Sequence, residues 1–245
     1  MKLDGKNMVV TGGASGIGRA TVQTLCAAGA RVFLGDINED GGAQTVSLAG
    51  KAAVFHHLDL TDDDSIAGFA TTVLAEAGQI DAVVNVAGWD IIQPFIENTP
   101  EFWDKIIAIN LMGPIKFTRA FLEPMIERNA GKIVSVSSDA GRVGSMGETV
   151  YAGAKGGIIA FTKSLAREMA RHRINVNCVC PGPTNTPLFA NQPERMQQAL
   201  TRAIPFRRVA EPGEIADAIL FFASGRSDYL TGQVLSVSGG LTMVD

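Results

Sequence analysis

The stretch Thr11-Gly12-Gly13-Ala14-Ser15-Gly16-Ile17-Gly18 joins a short β-branched run, residues 8–11, to an alanine-rich helical pattern over residues 18–28. Glycines let a backbone turn tightly and approach a pyrophosphate, whose charge is met by the N–H groups and dipole of the helix that follows. The spacing is G-x-x-x-G-x-G, different from the commoner G-x-G-x-x-G, and no Gly-Lys-Ser/Thr follows as in a nucleoside-triphosphate loop. The second apolar run ends at Asp36, 18 residues beyond Gly18. A carboxylate there accepts hydrogen bonds from both hydroxyls of an adenosine ribose and repels a 2′-phosphate. Neither Ser15 nor Ile37 offers the cation a 2′-phosphate wants, so NAD(H) is favoured over NADP(H). Capping of the next helix is the ordinary alternative for Asp36, and it does not explain the spacing.

The same alternation continues outward from this loop. Further short, nearly continuous apolar runs occupy residues 31–35, 53–58, 82–86, 132–136, 175–179 and 234–237. Runs of this kind belong to parallel strands covered on both faces. Helical patterns fall between them. Residues 62–77 follow Thr61 as an N-cap and stop at Gly78. Thr99-Pro100-Glu101 opens a long helix that Pro114 and Pro124 are expected to bend or divide, and residues 149–171 form another. Unbroken alternation predicts right-handed βαβ crossovers and a single α/β domain over residues 1–245, a doubly wound parallel sheet of about seven strands. Residues 186–208 depart from the pattern; they read as a substrate lid or as a surface helical pair.

Composition narrows the function classes. The 245 residues are 46% hydrophobic and 19% charged, enough to bury a substantial core and too apolar for a disordered chain. The formal net charge of −4, without any run of like charge, gives no support to a nucleic-acid partner or an anionic membrane. No apolar stretch approaches the roughly 18 residues of a transmembrane helix, and the first strand begins too early for a signal peptide, so a cytoplasmic protein is expected. Cys178 and Cys180 alternate on an apolar strand and read, with Cys26, as reduced thiols. The histidines, His56, His57 and His172, show no ligand spacing, and no catalytic metal is expected.

Tyr151 and Lys155 lie four apart, on one face of a helix. A phenol with a reference pKa near 10 is a poor proton acceptor, but an ammonium on the next turn and a cationic nicotinamide both favour the phenolate. By itself Tyr-x-x-x-Lys is an ordinary surface pair. Ser138 stands 13 residues upstream at the end of the fifth run, with Ser135 and Ser137 close by. Gly12, Asp36, Asn85, Ser138 and Pro181 all fall at carboxyl ends of strands, where open α/β sheets bind their ligands.

Taken in order, these motifs resemble the classical short-chain dehydrogenase/reductase family over essentially the whole chain. They are Thr11–Gly18, Asp59-Leu60, Asn85-Val86-Ala87-Gly88, Asn110, Ser138, Tyr151-Ala152-Gly153-Ala154-Lys155 and Pro181-Gly182-Pro183-Thr184-Asn185-Thr186. One departure is visible: the family usually has two asparagines where this chain has Asn85-Val86, a segment that steadies the central sheet. The resemblance implies a Rossmann-type fold and NAD held by Gly12, Ser15, Gly16, Ile17, Gly18, Asp36, Asp59, Leu60, Asn85, Ala87, Gly88, Tyr151, Lys155, Pro181, Gly182, Thr184 and Thr186. It implies four catalytic residues. Tyr151 acts as acid/base, and Lys155 holds the nicotinamide ribose. Ser138, on which the family's interval to the tyrosine falls, bonds the substrate oxygen. Asn110 holds a water leading from Lys155 to solvent, unless it merely bonds a helix carbonyl. It also implies a homotetramer pairing the two long helices and the C-terminal strands, for which Ala152, Ala154, Gly156, Gly157 and Ala160 leave room.

The substrate side falls to Trp89, Asp139, Met146 and Leu188, with Asp90 and Glu148 beside them. Phe189, Met196 and Leu200 add an apolar wall, which points to a carbocyclic or acyl group. Arg195, Arg202, Arg207 and Arg208 read as contacts for a carrier phosphate or as a solvated helix face. Gly88-Trp89-Asp90, residues 138–145 and residues 232–243 are similar to 2-hydroxycyclohexanecarboxyl-CoA dehydrogenases. The expectation is a NAD-dependent oxidoreductase interconverting a secondary alcohol and a ketone on a small-molecule substrate, a carbocyclic or acyl-thioester hydroxy compound. The alternatives are a 3-oxoacyl-thioester reductase and a non-catalytic NAD(H)-binding sensor.

Overall fold

In the computed structural model, which describes residues 1–243, the apolar run after Lys6 becomes β1 (Asn7–Thr11), buried at every residue but the first. It pairs in parallel with β2 (Arg31–Asp36) on one side and β4 (Ala82–Asn85) on the other. With β3 (Ala53–His57), β5 (Gly131–Val136), β6 (Ile174–Pro181) and β7 (Val234–Val237), the sheet has seven strands in the order β3-β2-β1-β4-β5-β6-β7. Every pairing is parallel. This is the doubly wound α/β sheet expected from the alternation. Its order reverses between β1 and β4, which opens a crevice at the carboxyl ends of those strands.

The strands are mostly apolar because both faces are covered, and successive side chains enter different cores. Val9, Phe33, Val83 and Ile133 face α3 (Asp63–Ala77), α5 (Gly113–Arg128) and α7 (Thr149–Met169), where Phe69, Phe117 and Phe121 pack together. Met8, Val10, Leu34 and Val134 face α1 (Gly16–Ala27), α2 (Glu39–Ala49) and α10 (Pro212–Ala223), which contribute Val22, Leu25, Ile215 and Ile219.

Four local readings need correction. The cap of α3 is Asp62, whose side chain accepts the Asp64 N–H; Thr61 donates its hydroxyl to Asp59 instead. Thr99 caps α4 (Pro100–Ile107) as expected, but the prolines do not divide the helix that follows. A π-helical turn, Ala108–Met112, separates α4 from α5. Pro114 sits in the first turn of α5, where no N–H is needed, and Pro124 is accommodated within it. β6 runs on to Pro181, because Cys180 and Pro181 pair with Ser236 and Val237 of β7. Finally, α7 ends at Met169 and a 3₁₀ turn, Ala170–His172, follows. Residues 186–208 hold two helices, α8 (Pro187–Ala190) and α9 (Glu194–Ala203). Among the described residues no helix is long and apolar enough to cross a membrane.

Candidate active site

A cavity of about 1280 Å³ opens along the carboxyl edge of the sheet. At one end it is lined by Gly12, Ser15, Gly16, Ile17, Gly18, Asp36, Asp59 and Leu60. Ala87, Gly88, Pro181, Gly182, Thr184 and Thr186 line its middle, and Ser138, Tyr151 and Lys155 stand at the far end with Trp89, Asp139, Met146 and Leu188. Two expected members do not reach it. Asn85 is buried and donates to Thr118 and Ser135, holding β4 to its neighbours, as the sheet-steadying role implied. Asn110 is buried in the π turn; its amide donates to the Trp89 and Ile106 carbonyls and its oxygen accepts the Trp89 N–H. Those bonds include the helix-carbonyl alternative and tie the loop after β4 to α4.

The glycine end has the shape of a phosphate cradle. Gly12 has φ +71°, and a Cβ on it would stand 2.7 Å from the Ala87 Cα. A Cβ on Gly18 would stand 1.9 Å from the Gly12 carbonyl oxygen. The Ser15 side chain makes no capping bond, so the first turn of α1 keeps its N–H groups for an anion. Asp36 is fixed at the end of β2 by two backbone donors, Ala14 N–H and Asn38 N–H, each at 3.0 Å. Arg19, a cation of this region, is held by Thr45 Oγ1 and the Ala14 and Gly41 carbonyls. The residues therefore fit a dinucleotide.

At the other end, Lys155 is 2% exposed and donates to the Val136 carbonyl at 3.1 Å, while Ser137 Oγ donates to the Lys155 carbonyl at 2.7 Å. These bonds lock α7 to the end of β5. Lys155 Nζ lies 5.6 Å from the centre of the Tyr151 ring. Burial lowers the ammonium to about 8, against which the neighbouring Cys178 and Cys180 act in the raising sense. The three cysteines are free, and the Cys178 and Cys180 sulfurs lie 4.0 Å apart behind this site. Tyr151 is held well above the usual phenol range by burial first, then by Glu148 and Asp90; its hydrogen bond with Ser138 works the other way. The resting phenol is thus a proton donor. Ser138 Oγ also accepts the Ala140 N–H at 3.1 Å, which fixes its rotamer.

The substrate-side candidates divide. Trp89 packs against Phe102 and carries the Lys105 ammonium 3.9 Å above its ring. Met146 is 95% exposed at the rim, and Leu188 also stands at the surface. The Asp139 carboxylate accepts from Ser236 and lies 3.6 Å from Arg142, so its charge is directed toward β7. Lys105 and Ile92 line the cavity without having been singled out, since nothing in their spacing marked the inner face of α4 or the loop before it. Among the described residues no group of three or more His, Cys, Asp or Glu comes together as a metal site.

Asp90 is buried beside Glu148 and its pKa rises to about 7, through burial and then the Glu148 charge, from an ordinary 3.8. A raised acid binds a proton in the folded state that the unfolded chain has released. The stability it confers is full below about pH 4 and is lost as pH rises through about 7. Asp90→Asn is therefore expected to flatten the fall in Tm between pH 4 and 7, read by circular dichroism; an unaltered slope would contradict the raised acid.

A family model described as enoyl-(acyl carrier protein) reductase matches residues 12–242. The 3-oxoacyl-[acyl-carrier-protein] reductase FabG of Thermotoga maritima is 39% identical over 247 residues, covering 99% of this chain and all of that protein. Cyclopentanol dehydrogenase of a Comamonas strain is 38% identical, with 98% of each chain covered. The crystal structure of gox2181 superposes with a TM-score of 0.93 at 30% identity, over 98% of this chain and 96% of that one. From the ordered motifs, the seven-stranded sheet and these full-length relatives, the chain belongs to the classical short-chain dehydrogenase/reductase family.

Proposed function

We propose that the chain is a NAD(H)-dependent oxidoreductase interconverting a secondary alcohol and a ketone on a carbocyclic or acyl-thioester substrate. One observation carries this reading: Ser138, Tyr151 and Lys155 share a single cavity with the glycine cradle and Asp36. When bound, the nicotinamide supplies or accepts the hydride. In reduction, Tyr151 gives its phenolic proton to the ketone oxygen, and Ser138 hydrogen-bonds that oxygen as charge develops on it. In oxidation, the Tyr151 phenolate takes the alcohol proton, with the Lys155 ammonium lowering the cost of forming it. The helices of residues 186–208 serve as the substrate lid, and a homotetramer pairing α5 and α7 between subunits belongs to the same reading.

Asp36 supports NAD(H), because a carboxylate held at the end of β2 repels a 2′-phosphate and Arg19 is engaged elsewhere. NADH is expected to bind at least about tenfold more tightly than NADPH by fluorescence titration, with the ratio narrowing in Asp36→Ala. Equal affinity in the wild type would remove NAD(H) from the proposal.

The apolar wall of Trp89, Ile92, Leu188, Phe189, Met196 and Leu200 supports a bulky uncharged substrate, and one relative is a cyclopentanol dehydrogenase. The second reading, a 3-oxoacyl-thioester reductase, is favoured by the FabG relatives. Rates for cyclic secondary alcohols, 2-hydroxycycloalkyl thioesters and 3-oxoacyl thioesters, followed by the absorbance of the reduced cofactor, separate the two. The first reading predicts that the ring-bearing substrates have the higher kcat/KM.

A further inference from the structure

Asp90 and Glu148 are far apart in sequence and meet beside Tyr151. Asp90, in the loop after β4, is 7% exposed, and its Oδ2 is buried with no donor against it. The Glu148 carboxyl acts on it in the raising sense and the Ile91 N–H in the lowering sense. Glu148 stands at the N-cap of α7, one turn before Tyr151, yet makes no capping bond there. The loop and the helix start are joined by the backbone bond from Gln93 N–H to the Gly147 carbonyl at 3.0 Å. Two carboxyls cannot bond each other without a proton between them. A shared proton supplies a donor to the buried Asp90 carboxyl, whose Oδ2 has none.

We propose that Asp90 and Glu148 form a proton-sharing carboxyl pair whose charge sets the proton affinity of Tyr151, making both of them positioning residues for its acid/base work. The proposal rests on the reading of Tyr151 as the acid/base. With the shared proton in place the pair carries one negative charge; without it, two. Each charge opposes ionisation of the phenol, so the pair keeps Tyr151 in its donor form, the form ketone reduction uses. The rise of Asp90 to about 7 puts loss of the shared proton near neutrality.

Other charged and titratable groups also surround Tyr151. Lys155 lies on its own helix, and Cys180 and Cys178 lie behind on β6. Asp139 and Arg142, in the segment after β5, act on Cys180. Lys105 on α4 and Arg195 on α9 line the cavity. Asp90 and Glu148 lead the electrostatic contributions that raise Tyr151.

The chain has two tyrosines, and the other, Tyr229, is fully exposed. In a Tyr229→Phe background the ultraviolet absorbance of tyrosinate therefore reads Tyr151 alone. A unit charge removed a few ångströms away is worth about one pH unit or more at an effective dielectric near 20. Asp90→Asn and Glu148→Gln should each begin to ionise Tyr151 at least about one pH unit below the parent, with circular dichroism confirming folded protein. The wild-type kcat–pH profile should also show a bend near 7 that both variants lose. An unchanged tyrosinate onset in both variants overturns the proposal, as does a bend retained in both. The titration uses neither cofactor nor substrate, so it is independent of the NAD(H) assignment. Failure of the acid/base reading would instead be seen in Tyr151→Phe, which this titration does not involve.

Discussion

Tyr151→Phe is expected to lower kcat about 10³- to 10⁴-fold, the upper range for a positioned general acid, while Kd for NADH changes by less than about threefold. The substitution removes one hydroxyl and keeps the ring. Ser138 retains the Ala140 N–H, and Lys155 retains the Val136 carbonyl, so neither neighbour loses its anchor. The α7 backbone is held to β5 through Ser137 Oγ and the Lys155 carbonyl, a bond the tyrosine does not share. Loss of rate without loss of binding therefore reports proton transfer rather than collapse of the site. Turnover within tenfold of the wild type would end the assigned role. A wild-type protein that binds NADH tightly and turns over no member of the alcohol and ketone panel would instead identify the non-catalytic sensor.

Sequence periodicity and spacing served best where a residue's role depends on its own strand or helix. The apolar runs marked every strand because a parallel sheet covered on both faces keeps most of its strand positions apolar. Gly12, Gly18 and Asp36 were legible because the βα turn and the following strand end have a fixed chain separation in this fold. Tyr151 and Lys155 were legible because one helical turn sets their geometry. What escaped was determined across the fold. Asp90 and Glu148 come together only when the loop after β4 meets the start of α7, and Lys105 reaches the cavity only by lying on Trp89. The π turn at Asn110 was hidden for the same reason: its amide is satisfied by Trp89, a partner outside the helix. Pro114 and Pro124 drew attention away from it, although one occupies a position where proline is harmless.

The other large effect is expected from Gly18→Ala, which should weaken NADH binding by more than about 100-fold and destabilise the fold by about 1–3 kcal/mol, the range for an overpacked interior. The backbone at Gly18 is ordinary helix, so the objection is steric. Its Cβ would stand 1.9 Å from the Gly12 carbonyl oxygen and 2.6 Å from the carbonyl carbon. Both are backbone atoms that cannot rotate away. The Gly12 peptide has little room to retreat, since the Gly12 N–H is bonded to the Gly35 carbonyl at 2.8 Å and the space where a Gly12 Cβ would lie is bounded by the Ala87 backbone. The first turn of α1 must move instead, and that turn supplies the N–H groups facing the cavity. Gly68→Ala is the matched control. Gly68 lies on the exposed side of α3 with nothing within 4 Å of its Cβ position, and α3 lies outside the cavity lining. Alanine there should raise stability by about 0.5–1 kcal/mol by denaturant titration and leave NADH binding unchanged. A Gly18→Ala protein that binds NADH like the wild type would show that the cradle is not where the dinucleotide sits, whatever happens to stability.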